Sequence, residues 1–335
     1  MADSTTVTPG YSRAMVAAPD ASSLEERLVW IFGSPRSGST WLLRLLIHPW
    51  GLDNSREGID RSRFRPAGGN VLPVNESYLP MHLAPLREST VASIEVGGGR
   101  LLLNDQRAAD PAYFFSDAYR GTWEEGTRRL VLERFAAQAW DAGTEHGIED
   151  PLMLIKEPNG SHAADVVARL LPRSRIVFLL RDGRDVVDSM LEADSPGGWR
   201  TRNDGVLAIT TAEDRLSAVR RQAHLWLIRT IAVERACEAI GPDRWIRVRY
   251  EDLLADTEGE LTRLDEWLGL ERSPARRQRA VRANRFNSLR NRIRGRRNGV
   301  RAASPGLWRT NMSQPEQEAL NELIGPKLAE LGYPL

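Results

Sequence analysis

The sequence predicts an α/β protein, a single domain with a central parallel β-sheet flanked by helices. Three observations predict it. Four short apolar runs rich in β-branched residues recur along the chain, helical patterns lie between them, and a glycine turn joins the first run to the first helix. Alternation of strand and helix is the mark of this class.

The first run, Leu28–Phe32, is apolar without interruption. A continuous run, unlike an alternating one, suits a strand covered on both faces, as in a parallel sheet. Runs 152–155, 176–180 and 245–248 are of the same kind. Ser39–Ile47 follows the first run as a helix, and residues 163–171 form another between the second and third runs, closed by Pro172. In Ala212–Ile240 the residues Leu216, Val219, Ala223, Trp226, Val233, Cys237 and Ile240 recur near three- and four-residue spacings, with Gly241 and Pro242 as the stop. Segments 51–99 and 192–205 are rich in Gly, Pro and Asn and follow neither period, so they are expected as long loops, where substrates are often chosen. No internal repeat is visible.

Residues 1–26 are polar, carry Asp3 and Asp20 and lack an apolar core. They are expected as a disordered N-terminal stretch, not a secretory signal. Residues 27–335 then form one domain, with insertions around 51–150 and 192–212 expected to bind the substrate.

The 335 residues are 41% hydrophobic and 27% charged, which excludes a disordered polyelectrolyte or a collagen-like chain. A formal charge of +1 leaves no overall field for nucleic acid or lipid. Only Lys156 and Lys327 are lysines, so the other 44 basic residues are arginine, and a lysine inside a motif is the more informative cation. The single cysteine, Cys237, excludes an intramolecular disulfide and a cysteine-built zinc site. No apolar run approaches the roughly 20 residues of a membrane span. A cytoplasmic setting is expected.

The turn Gly33-Ser34-Pro35-Arg36-Ser37-Gly38-Ser39-Thr40 ends a strand and opens a helix. Such a turn gathers backbone N–H groups and the positive helix end at one point, and so suits an anion. Its glycine spacing is that of a P-loop, giving the domain a P-loop nucleotide-binding-like outline, but Ser39 stands where that motif requires lysine. A second candidate anion site is Arg181-Asp182-Gly183-Arg184-Asp185-Val186-Val187-Asp188-Ser189, at the end of the third run. Residues 272–301 hold twelve arginines and no acidic residue. That concentration reads as a solvated or disordered segment, an anion site, or a nucleic-acid-binding arm.

Written from Ser34 to Trp41, the first turn resembles the 5′-phosphosulfate loop of sulfotransferases that use 3′-phosphoadenosine 5′-phosphosulfate (PAPS), and the style of the motifs is closest to bacterial, carbohydrate and tyrosylprotein branches. The resemblance implies that Arg36, Ser37, Gly38, Ser39 and Thr40 hold the phosphosulfate and that Trp41 stacks on adenine. Arg181 and Ser189, eight residues apart, match the family's 3′-phosphate motif. Tyr250, in Tyr250-Glu251-Asp252-Leu253, matches a strand end that lies near the base, with Phe286 as a second adenine contact. Arg297 and Gly299 match a late Arg-Lys-Gly element followed by a tryptophan, here Trp308, although Asn298 replaces the lysine. Together these matches span about a third of the chain.

For catalysis the resemblance implies that Lys156 contacts the sulfuryl oxygens and Arg36 stabilises charge on the bridging oxygen. An arginine holds its proton too firmly to act as an acid. Many relatives place a basic histidine two residues after this lysine, but here that position is Pro158. Glu76 resembles the glutamate base of the tyrosylprotein and carbohydrate branches, with Glu157, His82 and His162 as alternatives. No metal is required on this reading, since the leaving group is already a good anion. The expected acceptor is an unidentified small molecule bearing a hydroxyl or amine, with Trp199 and Tyr78 lining its pocket. A P-loop kinase and a nucleic-acid-binding protein are the competing readings.

Overall fold

The computed structural model describes residues 21–48, 70–83, 94–96, 99–101, 109–146, 149–203, 205–285 and 304–335. Its strands are β1 (Leu28–Phe32), β2 (Val71–Asn75), β3 (Ile94–Val96), β4 (Gly99–Leu101), β5 (Leu152–Lys156), β6 (Arg175–Leu180) and β7 (Trp245–Arg249). β3 and β4 pair antiparallel. The other five form one parallel sheet in the order β2-β5-β1-β6-β7. The four apolar runs are thus strands of one sheet.

β1 lies at the centre of the order, between β5 on one side and β6 on the other. The chain therefore reverses its winding direction at β1, and ligands of open α/β sheets bind beyond the strand carboxyl ends at such a point. Register brings these ends together. Lys156 of β5 lies opposite both Asn75 and Ile31, Phe32 lies opposite Phe178, and Leu180 opposite Arg249. Gly33, Glu76, Glu157, Arg181 and Tyr250 each come within two residues of these paired positions, on one edge of the sheet.

Every residue of β1 and β5 is buried, as continuous apolar runs require. Trp30 stacks on Phe32 with centroids 5.7 Å apart and meets Phe135 edge-on at 5.9 Å. Phe135 belongs to the helix Arg120–His146, which thereby packs against the sheet. Elsewhere the helix Ala212–Ile240 packs along Ala164–Leu170, Gly183–Ala193 and Gln314–Glu330. Gly183 shows how close that packing is, since a Cβ there would stand 2.7 Å from the Trp226 ring.

Two expectations need correction. The domain starts before residue 27: Ala21–Glu25 is a helix, Leu24 is buried, and the wholly buried Glu25 carboxylate is held by Arg128, Arg173 and the Arg173 N–H. Paired in this way, its burial is tolerable. Segment 51–150 is not only an insertion, because it supplies the sheet strand β2 and the helix Arg120–His146. Pro73 hides β2 from a sequence reading, since it cannot donate to a ladder; β2 tolerates it as an edge strand. No helix among the described residues is long and apolar enough to cross a membrane.

Cys237 is buried on the helix Ala212–Ile240, and burial pushes its thiol up to about 12. The unfolded thiol ionises first, so this group withdraws stability as pH rises from about 9 toward 12. At pH 8.5 iodoacetamide should alkylate the native protein about a thousandfold more slowly than the urea-unfolded chain, the ratio of thiolate fractions. Comparable native and unfolded rates would contradict this burial.

Candidate active site

The turn after β1 is shaped by close approach. Gly33 adopts φ 154°, and a Cβ there would lie 2.2 Å from the Leu179 carbonyl oxygen of β6. Gly38 has φ 93° and faces the Tyr250 ring, which a Cβ would meet at 2.7 Å. Arg36 itself takes the left-handed conformation, φ 73°, that L-residues rarely adopt. Ser161 pins the start of the turn: its hydroxyl accepts the Gly33 N–H at 2.9 Å and stands 2.9 Å from the Gly33 and Glu157 carbonyls.

The helix Ser39–Ile47 begins directly after Gly38, and the Leu42 N–H donates to the Gly38 carbonyl at 2.9 Å. N–H groups of its first turn have no partner within the helix, and the turn that ends β1 leads directly into them. The Ser34 and Ser37 hydroxyls are buried with no hydrogen-bond partner among the described residues. Leaving a buried hydroxyl unpaired costs roughly 1–3 kcal/mol, a cost that an anion placed here would offset.

Arg36 connects the two predicted anion motifs. Its Nε donates to Ser189 Oγ at 2.9 Å, and Arg181 Nη1 donates to the Arg36 carbonyl at 2.8 Å. The motif at 181–189 therefore adjoins the first turn. Arg181 also lies over the Tyr250 ring, 4.3 Å from its centroid, while its Nε is buried without a partner among the described residues. Tyr250 is buried, and burial pushes its hydroxyl up to about 12 despite the neighbouring Arg181. Trp41 meets Tyr250 edge-on at 5.8 Å and donates its indole N–H to the Asn284 carbonyl at 3.0 Å, so most of its surface is already covered.

Other side chains of 181–189 hold the C-terminal segment. The wholly buried Arg184 pairs with Asp182 at 2.8 Å, donates to the Pro334 carbonyl at 2.6 Å and lies over Trp308 at 4.4 Å. Asp185 accepts the Gly306 N–H at 2.9 and 3.0 Å, and Asp188 accepts from Asn311 at 3.0 Å. Burial holds the Asp185 carboxyl above its ordinary range, against the Gly306 N–H and Arg181. Trp308 is thus placed near the motif. Phe286, Arg297 and Gly299 lie outside the described residues.

Beside the turn stands a second cluster. Lys156 Nζ donates to Glu76 Oε1 at 2.5 Å and lies 3.5 Å from Thr40 Oγ1. Asn159 Nδ2 and the Tyr78 hydroxyl donate to Glu76 Oε2 at 2.9 and 3.0 Å. Three donors converge on one carboxylate next to the turn after β1. Of the alternative bases, Glu157 is wholly buried, with Oε1 accepting from Ser77 Oγ at 2.6 Å and the Tyr78 N–H at 2.7 Å. His82 is exposed on the short helix Leu79–Leu83, and His162 Nδ1 lies 3.1 Å from the Asn159 carbonyl. Trp199 lies under Arg36 at 5.9 Å, and Tyr78 is half exposed.

Ser161 and Asn159 were not singled out in the sequence. Asn159 stands three residues from Lys156 in the same strand-end motif, a placement that could have marked it. Ser161 gave no signal, because its partner Gly33 is 128 residues away.

Fold and site together define a P-loop-like α/β protein with a glycine turn after its central strand and a charged cluster beside it. A model of the sulfotransferase family matches residues 29–274, most of the chain, and the protein belongs to that family. A provisionally named protein-tyrosine sulfotransferase of Caenorhabditis briggsae is 26% identical over 164 residues, 45% of this chain and 53% of that protein. The chain thus spans about half the length of this curated relative. Mouse sulfotransferase SULT7A1, solved with PAP, is 14% identical with a TM-score of 0.49, over 91% of this chain and 87% of the mouse one. Sulfotransferase STF9 from Mycobacterium avium is 16% identical with a TM-score of 0.47, over 92% and 78%.

Gly33→Ala forces a Cβ into the Leu179 carbonyl at an unfavourable φ. It should lower stability by about 2 to 3 kcal/mol, and a parental midpoint in urea unfolding would show that β1 and β6 do not approach so closely.

Proposed function

We propose that this sulfotransferase takes its sulfuryl group from PAPS and passes it to a hydroxyl or amine of a small-molecule acceptor. One observation carries the reading: Lys156 links Glu76 to Thr40 of the phosphate loop, so a carboxylate, an ammonium and an anion-binding turn meet at one point. When bound, PAPS supplies the sulfuryl group and a phosphate able to leave as an anion.

The residues present fit such a ligand. Buried, partnerless donors on Ser34, Ser37 and Arg181 await an acceptor, and the helix end beside them favours negative charge. Ser37, Gly38, Ser39 and Thr40 are assigned to the 5′ side, Arg181 and Ser189 to the 3′-phosphate, and Trp41 and Tyr250 to the base. Arg297, Gly299 and Phe286 keep that assignment from sequence alone. Arg36 and Lys156 contribute positive charge where charge accumulates during transfer, which is the main work in this type of reaction. Glu76 takes the proton of the acceptor as it attacks. Its carboxylate holds three donors, one on Oε1 and two on Oε2, which leaves a lone pair on Oε1 for the acceptor, and Tyr78 is the exposed donor of the three.

Adenosine 3′,5′-bisphosphate at about a hundred times its Kd should stabilise the protein by about 2.7 kcal/mol, near 4 °C in Tm for a chain of this length. ATP with magnesium should do so far less; the reverse preference would favour a kinase. In the same assay Ser37→Ala should leave the free protein as stable or more so and weaken the bisphosphate about tenfold, the value of one charge-assisted bond.

Glu76→Gln should bind the bisphosphate like the parent while labelled-sulfate transfer from PAPS to a panel of phenols, alcohols and amines drops at least about a hundredfold. Turnover near that of the parent would remove Glu76 from the base role.

A further inference from the structure

We infer that Glu157 is a positioning residue: by holding the turn Glu76–Ser77–Tyr78 it sets where the Glu76 carboxylate stands. The inference rests on the base role proposed above for Glu76, and it assigns to Glu157 a task other than proton transfer.

The turn is conformationally improbable without help. The Glu76 N–H donates to the Lys156 carbonyl at 3.0 Å, the last rung between β2 and β5. Immediately afterwards Glu76 takes φ 53° and Tyr78 φ 58°, two left-handed residues flanking Ser77, and neither is glycine. Such residues persist only where their surroundings over-determine them. Here one carboxylate oxygen is central to those surroundings. Glu157 Oε1 accepts the Ser77 hydroxyl at 2.6 Å and the Tyr78 N–H at 2.7 Å, and Ser77 Oγ in turn accepts the Leu79 N–H at 3.3 Å.

Glu157 is itself closely enclosed. Its N–H donates to the Ile31 carbonyl at 3.0 Å, its side chain is wholly buried, and Oε2 faces Gly160, where a Cβ would stand 3.3 Å from it. Oε2 has no hydrogen-bond partner among the described residues. Burial holds this carboxyl above its ordinary range, with the nearby Glu76 adding to the effect and the two donors opposing it. A carboxyl with no exposed surface cannot meet an acceptor hydroxyl. It can fix a backbone, and the backbone it fixes carries Glu76 to Lys156 and Asn159. Misplacing a reacting group by about 1 Å can lower a rate about a hundredfold, so the turn's shape matters to catalysis.

Three variants test this. Glu157→Gln keeps an acceptor oxygen for both donors, Glu157→Ala keeps neither, and Ser77→Ala removes one donor while leaving the buried carboxyl in place. The readouts are labelled-sulfate transfer from PAPS to phenols, affinity for adenosine 3′,5′-bisphosphate, and hydrogen exchange at the Tyr78 amide, which needs neither PAPS nor an acceptor. Glu157→Ala should lose about a hundredfold in kcat and exchange at Tyr78 at least about tenfold faster, with bisphosphate affinity within about threefold. Glu157→Gln should stay within about fivefold of the parent in all three. Ser77→Ala should fall between them in kcat, and it decides the matter if Glu157→Ala does not fold.

Equal inactivity of the Gln and Ala variants would overturn the inference, because glutamine keeps the acceptor oxygen on which the clamp depends and alters only the charge and the second oxygen, which has no partner among the described residues. Parental protection of Tyr78 in both Glu157→Ala and Ser77→Ala would also overturn it. Full activity of Glu76→Gln would instead strike at the base assignment, while the exchange measurement would still judge the clamp.

Discussion

Parallel, in-register pairing of β2, β5, β1 and β6 is the constraint on which the site depends. Because Lys156 lies opposite both Asn75 and Ile31, the residues just past three strands emerge together: Glu76, Glu157 and the turn at Gly33. Phe32 opposite Phe178 then sets Arg181 beside that turn. A slip of one residue in any of these pairings would send the alternate side chain to the wrong face. The apolar, doubly covered strands make that slip costly, so hydrophobic burial far from the chemistry holds the charged groups in place.

Charge within the site is arranged economically. Lys156 is almost wholly buried, and its pairing with Glu76 balances an ammonium that burial alone would disfavour. The two adjacent glutamates divide their roles by exposure: Glu76 remains partly open and meets the lysine, whereas Glu157 is sealed and meets only donors from the neighbouring turn. Segment 181–189 divides its work by side as well. Arg181 and Ser189 turn to the loop after β1, while Arg184, held by Asp182, and Asp185 and Asp188 tie down the C-terminal segment through Gly306, Trp308, Asn311 and Pro334. The turn after β1 and the segments flanking the last helix are therefore mechanically connected.

Much of this was legible in the sequence, for particular reasons. Continuous apolar runs revealed β1, β5, β6 and β7, and the rarity of lysine made Lys156 conspicuous before any contact was known. Glu76 was noticed through resemblance, and the structure places it against Lys156. β2 escaped because Pro73 interrupts its pattern, and the helix Arg120–His146 escaped because apolar and charged residues are mixed around it. Trp41 and Tyr250 were expected beside a base; what the structure shows is that they pack on each other, a contact between residues more than 200 apart that no local pattern encodes.

The sequence by itself determined the class of fold, the glycine turn after the first strand and the residue types available for the chemistry, because these follow from local periodicity, steric preference and spacing along the chain. Only the tertiary structure decided which charges meet. Arg36 reaches Ser189 across 153 residues, Lys156 reaches Glu76 across 80, and Glu157 clamps a turn 79 residues away. Electrostatic and hydrogen-bond energies depend on distance through space and on exclusion of water, and neither quantity exists until the strands have paired.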